Sequence, residues 1–232
     1  MQTNEVQRCY GLLPGFLEIF RQTGAAFDLI ELGSSAGFNL FWDRYSYRYE
    51  EESWGDLAAP IELRGRLRSP LPPGLLSLRP LVRERVGIDL SPLDATDEHD
   101  ARLLRAFIWP DQRERLERLD RAIAVVRAEP PPILRGDYLE LLEPLLERRS
   151  GETLTVVFQT ASVSHLSAEE RQRVEDVLGR AGERGPLAFL SGEHDPGDDL
   201  LSHWQLRMRL WPGEVEQILA RLDPHGRWVE WL

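Results

Sequence analysis

Residues 28–39 read Asp-Leu-Ile-Glu-Leu-Gly-Ser-Ser-Ala-Gly-Phe-Asn. The apolar residues Leu29, Ile30 and Leu32 predict a strand that runs straight into a turn of small residues, Gly33 to Gly37. A helix is expected to begin there, with Phe38, Asn39, Leu40, Phe41 and Trp42. Small side chains let a ligand approach the backbone. The first N–H groups of a helix lack partners in their own helix and carry partial positive charge. The turn is therefore expected to hold a carboxylate or phosphate, with Glu31 adding a negative group to the same rim. A ligand with an anionic and a cationic end suits that pairing.

Outward from this stretch, strands alternate with helices. Gln2 to Thr23 reads as a helix with Val6, Cys9, Leu13, Phe16, Leu17 and Phe20 on one side, broken or bent at Pro14. Residues 1–27 form an N-terminal helical segment. Tyr45, Tyr47 and Tyr49 alternate with polar residues and predict a hairpin with Ile61 to Leu67 around Ser53–Asp56. With the proline-rich loop Pro70–Pro80 this makes an insertion over residues 44–80. Further strands are expected at Val86–Leu90, Ile133–Leu134, Leu154–Phe158 and Pro186–Ser191, with helices at Glu98–Ile108, Pro110–Ala128 and Leu139–Leu146. Ser167 and Glu170 form a capping-box signal for a helix to about Arg180. Trp204 to Leu210 alternates like a half-exposed antiparallel strand, Glu214 to Leu222 reads as a short helix, and Arg227 to Leu232 as a final strand. The pattern implies one α/β domain over residues 1–232, doubly wound around a mostly parallel sheet covered on both faces. Ligands in such sheets bind at the carboxyl ends of the strands.

Composition excludes several functions. The net charge of −11 argues against a duplex nucleic-acid surface and leaves a small-molecule or protein partner. All 28 basic residues are arginine, so Schiff-base chemistry, pyridoxal phosphate attachment and a P-loop lysine are excluded. Arg64, Arg66, Arg68, Arg79, Arg83 and Arg85 cluster, which fits a solvated face or internal ion pairs better than an anion-binding rim. The single Cys9 falls on the apolar side of its helix, reads as a core thiol and agrees with a reducing compartment. No apolar run approaches a membrane span and no leader opens the chain, so a soluble, cytoplasmic protein without a membrane partner is expected. No tight spacing of ligands suggests a metal.

Three predicted strand ends carry matching chemistry: Glu31 with Gly33 and Gly37, then Asp89, then Asp137. In a doubly wound nucleotide site an acid after the second strand accepts hydrogen bonds from ribose hydroxyls, and one after the third can take an exocyclic adenine amine. The order Glu-x-Gly-x-x-x-Gly, Gly-x-Asp, Gly-Asp resembles a class I S-adenosylmethionine-dependent methyltransferase. Nearly the whole chain is similar to a bacterial domain family of unknown function placed in that superfamily. This match rests on Gln2–Glu5, Glu31–Leu40, Trp42–Tyr45, Trp109–Pro110 and Pro224–Trp228.

The resemblance implies a Rossmann-like, seven-stranded sheet of the class I methyltransferase type with one antiparallel edge strand. It also implies S-adenosylmethionine as cofactor and methyl transfer to an unidentified small-molecule or protein acceptor. Gly33, Ser34, Ser35 and Gly37, with Asn39 at the helix start, would hold the methionine part, and Glu31 would orient its amino group. Asp89 would bind the ribose diol, and Asp137 with Tyr138 the adenine. Gln159 and Thr160 would face the reacting methyl group. His165, by its own place beyond the fourth strand, is the histidine expected to face a substrate in a catalytic role, with a hydrogen-bonding rim residue as the other reading. Asn4 and Glu5 lie near the cofactor by their place in the family match, and Glu193 and His194 follow the fifth strand onto the same rim. Members of the resembled family carry a helical segment ahead of Gln2–Glu5. Because the chain begins at that stretch, a lid or dimer element is expected to be absent.

The residues leave alternatives open. The usual ribose acid lies about 20 residues past the glycine turn, where Glu50, Glu51 and Glu52 stand. Asp89 is preferred because Val86–Pro92 reads as a strand and turn, with the tyrosine segment inserted before it. A non-catalytic cofactor-binding domain would keep Gly33, Gly37 and Asp89. Gly33–Gly37 also fits Gly-x-Ser-x-Gly, the elbow of an α/β serine hydrolase, with Ser35 as nucleophile followed by Asp195 and His225. That reading explains neither Asp89 nor Asp137, and only a helix precedes the strand.

Overall fold

The computed structural model describes residues 5–149, 151–194, 203–213 and 215–232. The chain forms helix α1 (Arg8–Thr23), strand β1 (Phe27–Leu32) and the short strands β2 (Ser46–Tyr49), β3 (Glu52–Trp54), β4 (Glu62–Arg64) and β5 (Arg66–Leu67). Then follow β6 (Val82–Asp89), α2 (Glu98–Ala106), α3 (Arg113–Ala128), β7 (Ile133–Arg135), α4 (Tyr138–Glu147), β8 (Leu154–Thr160), α5 (Ala168–Arg184) and β9 (Leu187–Glu193). The last strands are β10 (Trp204–Trp211), β11 (Val215–Leu222) and β12 (Trp228–Trp231). No helix among the described residues is long and apolar enough to cross a membrane.

The main sheet is α/β and mostly parallel where the site lies. Its order is β5-β12-β11-β10-β9-β8-β1-β6-β7, and the strands from β9 to β7 are all parallel. Chain order reverses direction between β1 and β8: β6 and β7 lie on one side of β1, β8 and β9 on the other. Crevices open at such switch points, beyond the carboxyl ends of the strands.

Side-chain alternation divides the core into two layers. Along β1, Phe27 and Leu29 face the cluster that holds α1 and α3, whereas Ile30 and Leu32 face α4 and α5. Phe16 of α1 stacks on Trp42 at 4.3 Å and meets Phe158 of β8 edge-on at 5.2 Å. α1 starts at Arg8 and continues through Pro14. Asp97 and Asp137 cap α2 and α4, and Ser167 with Glu170 completes the expected capping box of α5.

The sheet departs from seven strands with one antiparallel edge. Among the described residues it has nine, and β10, β11 and β12 form an antiparallel meander beyond β9. The segment read as a helix, Glu214 to Leu222, contains β11. A bulge opposite Leu206–Arg207 adds Leu219 as an extra residue, so Gln217 and Ala220, rather than Gln217 and Leu219, stand across from Met208 and Leu206. The shift from a spacing of two to three imitates helical periodicity.

The tyrosine segment also pairs differently. β2 turns at Glu50–Glu51 into β3 and pairs in parallel with β4, making a three-stranded sheet. β5 leaves it to join β12 at the edge of the main sheet. Within the arginine cluster, Arg85 is half-buried and pairs with Asp43 at 2.9 Å, whereas Arg64, Arg66, Arg68 and Arg83 are exposed, Arg64 pairing with Glu62 and Arg68 lying 3.5 Å from the centre of the Trp228 ring.

Candidate functional site

The chain leaves β1 through a turn built on three left-handed residues, Gly33 (φ +73°), Ser35 (φ +51°) and Gly37 (φ +76°). Its backbone donors are largely consumed within the protein. Gly33 and Ser34 donate to the Ile88 carbonyl at 2.8 and 3.2 Å, and Gly37 donates to the Ser34 carbonyl at 2.7 Å. Ser35 donates to Oδ2 of Asp89 at 2.8 Å, while Oδ1 of Asp89 accepts from Ser91 at 2.8 Å. Asp89, at the end of β6, is thus aimed by two backbone N–H groups.

At Gly33 a Cβ would stand 2.6 Å from the Cβ of Ser162. The lack of a side chain there lets the loops after β1 and β8 touch at the switch point. Ser34 and Gly37 have other tasks than the ligand contacts expected of them. The Ser34 hydroxyl packs against Gly87, and Gly37 packs against Pro131. The expected helix start is a 3₁₀ segment, Phe38–Arg44, whose first residues are buried.

Beyond these strand ends lies a cleft of about 400 Å³. Gly33, Ser35, Asn39, Asp89, Asp137, Tyr138, Thr160 and His165 all line it, so these eight of the expected site residues share one cleft. Arg8, Leu90, Ala161, Ser162, Leu166 and Glu170 join them. Asp137 accepts from the Leu139 N–H at 2.8 Å, and the Tyr138 hydroxyl donates to the Ser162 carbonyl at 3.2 Å, tying the end of β7 to the end of β8. Burial pushes the Tyr138 phenol up from its ordinary pKa.

Gln159, expected to face the reacting group, turns away from the cleft. It is fully buried, and its Oε1 accepts from the Ser162 N–H at 3.0 Å, fixing the turn after β8.

Glu31 lies beneath the cleft rather than on its rim. It is 1% exposed, takes a hydrogen bond from Asn39 Nδ2 at 3.0 Å, and its other oxygen has no partner among the described residues. Burial raises its pKa to about 8; the Asn39 hydrogen bond opposes this, the Asp89 charge adds to it and the Arg8 charge opposes it. Cys9 donates to Asn39 Oδ1 at 3.2 Å, and burial pushes its thiol well above the usual range. This makes Cys9 a core thiol.

Other expected residues fall elsewhere. Glu5 accepts from the Gln7 N–H at 3.1 Å and pairs with Arg115 at 2.6 Å and Arg118 at 3.6 Å. Asn4 and Asp195 lie outside the described residues. Glu193 and His194 line a separate cavity with Arg171, Arg207 and Glu216 past β9, and burial raises the Glu193 pKa. Glu50 sits in the β2–β3 turn, where its Oε1 accepts from the Leu67 N–H at 3.2 Å, away from the cleft. The Ser35 hydroxyl makes no hydrogen bond among the described residues, and the His225 N–H donates to Asp223 in the turn before β12. The nucleophile–histidine contact of a serine hydrolase is therefore not formed with His225.

Of the six cleft residues that were not expected from the sequence, Arg8 brings the one permanent positive charge. Its signal is its isolation: from Cys9 to Ile19 the helix carries no charge but Glu18. A lone cation on such a helix must find a polar opening.

Residues 1–231 match the model of a family described as an uncharacterized protein conserved in bacteria (DUF2332), and the chain belongs to that family. No curated protein matches the chain.

Proposed function

We propose that this member of the bacterial family binds S-adenosylmethionine in the cleft at the β1–β8 switch point and transfers its methyl group to a small-molecule or protein acceptor. The observation that carries the reading is the convergence of Asp137, Asp89, the Gly33–Ser35 turn and Thr160 on one cleft, in the order of their strands. Adjacent strands stand about 4.8 Å apart, so the three steps from β7 to β8 span roughly 14 Å, about the length of an extended adenosyl amino acid. The run β7-β6-β1-β8-β9 repeats the strand order of a dinucleotide-binding sheet, which supports the Rossmann-like assignment.

In this reading the Asp89 carboxylate accepts the ribose hydroxyls, and Asp137 with Tyr138 borders the adenine. Gly33 borders the chain between sugar and amino acid. When bound, S-adenosylmethionine supplies an electrophilic methyl group, so positioning does most of the work. His165, in the one-turn helix Val163–His165, lines the cleft wall, and in this reading it takes a proton from the acceptor.

Titration calorimetry with S-adenosylhomocysteine tests the reading. One equivalent bound by the wild type, and lost in Asp89→Ala while the variant stays folded, is expected. No binding by the wild type at millimolar ligand rejects it.

A further inference from the structure

We infer that Arg8 is the anion anchor of the cleft, and that its guanidinium holds the carboxylate at the amino-acid end of the ligand; this rests on the S-adenosylmethionine reading above. The sequence points to the glycine turn and the helix start for that task, but most of the turn's donors are spent within the protein. The N–H groups of Gly33, Ser34, Ser35 and Gly37 are bound within the protein, and Ala36 is buried. The segment that follows is a short 3₁₀ helix with buried first residues.

Arg8 is the one permanently charged cation among the described cleft residues, which otherwise carry Asp89, Asp137 and Glu170. It stands at the Thr160 end, across the turn from Asp89 and Asp137. The cleft is thus polarised along its length, with acids where a nucleoside would lie and a guanidinium where its tail would end.

The guanidinium is held ready. Its Nε donates to the Pro224 carbonyl at 3.0 Å, Nη1 reaches the Thr160 hydroxyl at 3.4 Å, and its carbon lies 4.8 Å from the Trp204 ring centre. Arginine has five N–H donors in a planar fork, so the edge that grips a carboxylate is not exhausted. No described carboxylate lies within ion-pair distance of it. Glu5, on the same side, is occupied by Arg115 and Arg118. Burial lowers the pKa of Arg8 despite the attraction of Glu5 and Glu31, the behaviour of a cation whose charge the protein leaves incompletely compensated. A bound carboxylate completes that compensation.

The test compares two ligands that differ only at the tail. S-adenosylhomocysteine carries the amino acid; 5′-methylthioadenosine keeps the nucleoside and thioether without it. Both are titrated into the wild type, Arg8→Gln and Arg8→Lys. Arg8→Gln is expected to weaken S-adenosylhomocysteine by about 10–100-fold and to leave methylthioadenosine within about twofold. Retained methylthioadenosine binding also shows that the variant is folded. Arg8→Lys is expected to recover part of the loss, since it keeps the charge without the fork. Equal weakening of both ligands by Arg8→Gln overturns the inference, as does unchanged S-adenosylhomocysteine affinity, which would reserve Arg8 for an anionic acceptor. If the wild type binds neither ligand, the underlying reading fails and the inference with it.

Discussion

Glu31→Gln converts the buried acid beneath the cleft into a measurable signal. Glu31 ionises near its ordinary value of 4.5 in the unfolded chain, whereas burial holds its proton in the folded protein up to about pH 8. Between these values the folded state binds one more proton than the unfolded state, so stability falls as pH rises. The slope is about 1.4 kcal/mol per pH unit, and over the whole interval the loss amounts to about 5 kcal/mol. Below pH 4.5 both states are protonated and the full stability is present; above pH 8 it has gone. Gln keeps the shape and the acceptor for Asn39 Nδ2 but does not titrate. Subtracting the stability of Glu31→Gln from that of the wild type removes all other titrations and leaves this one. Urea unfolding of both proteins at pH 5, 6, 7 and 8 therefore measures it. The difference should drift steadily against the wild type across the series, with the variant the more stable at pH 8. A difference that stays flat from pH 5 to 8 refutes the reasoning, because it means that Glu31 titrates alike in both states.

Further substitutions test the frame around the cleft. Gly33→Ala places a Cβ 2.6 Å from that of Ser162 at φ +73°, and a loss of about 2–3 kcal/mol in urea unfolding is expected; a change under about 0.5 kcal/mol means that the two loops part freely. Asp89→Ala strands the Ser35 and Ser91 N–H groups, and about 2–4 kcal/mol of stability should go with them, measured the same way. Cys9 is fully buried with a raised thiol pKa, so Ellman's reagent should label it at the rate of unfolding, and prompt labelling of native protein speaks against its place in the core. Ser167→Ala removes the α5 capping box and should cost about 1 kcal/mol.

The parallel half of the sheet was legible because its strands are buried apolar runs ended by unmistakable turn chemistry. Leu154 to Phe158 admits little but a strand, and Asp137 and Ser167 announce the helices that they cap. The cleft followed from the same signals, since a strand that ends in Gly33, Asp89 or Asp137 delivers that residue to one rim. What failed was information that is not local. The bulge at Leu219 disguised β11, and only pairing with β10 and β12 made it a strand. Ser46–Tyr49 carries a strand pattern but no label for its partners, so the exchange between β3 and β4 was invisible. Side-chain direction was equally hidden: Gln159 lies at the right strand end yet folds back onto its own turn. Arg8 stands at the first residue of the helix before β1, a full helix length from the glycine turn, and reaches the cleft only because α1 packs against the sheet.

A crystal structure with S-adenosylhomocysteine tests the central claim most directly. The ligand should lie along the strand ends, with its ribose hydroxyls on the Asp89 carboxylate, its adenine beside Asp137 and Tyr138, and its carboxylate on Arg8. Ligand density in the cavity past β9 instead, or none anywhere at saturating concentration, contradicts the claim.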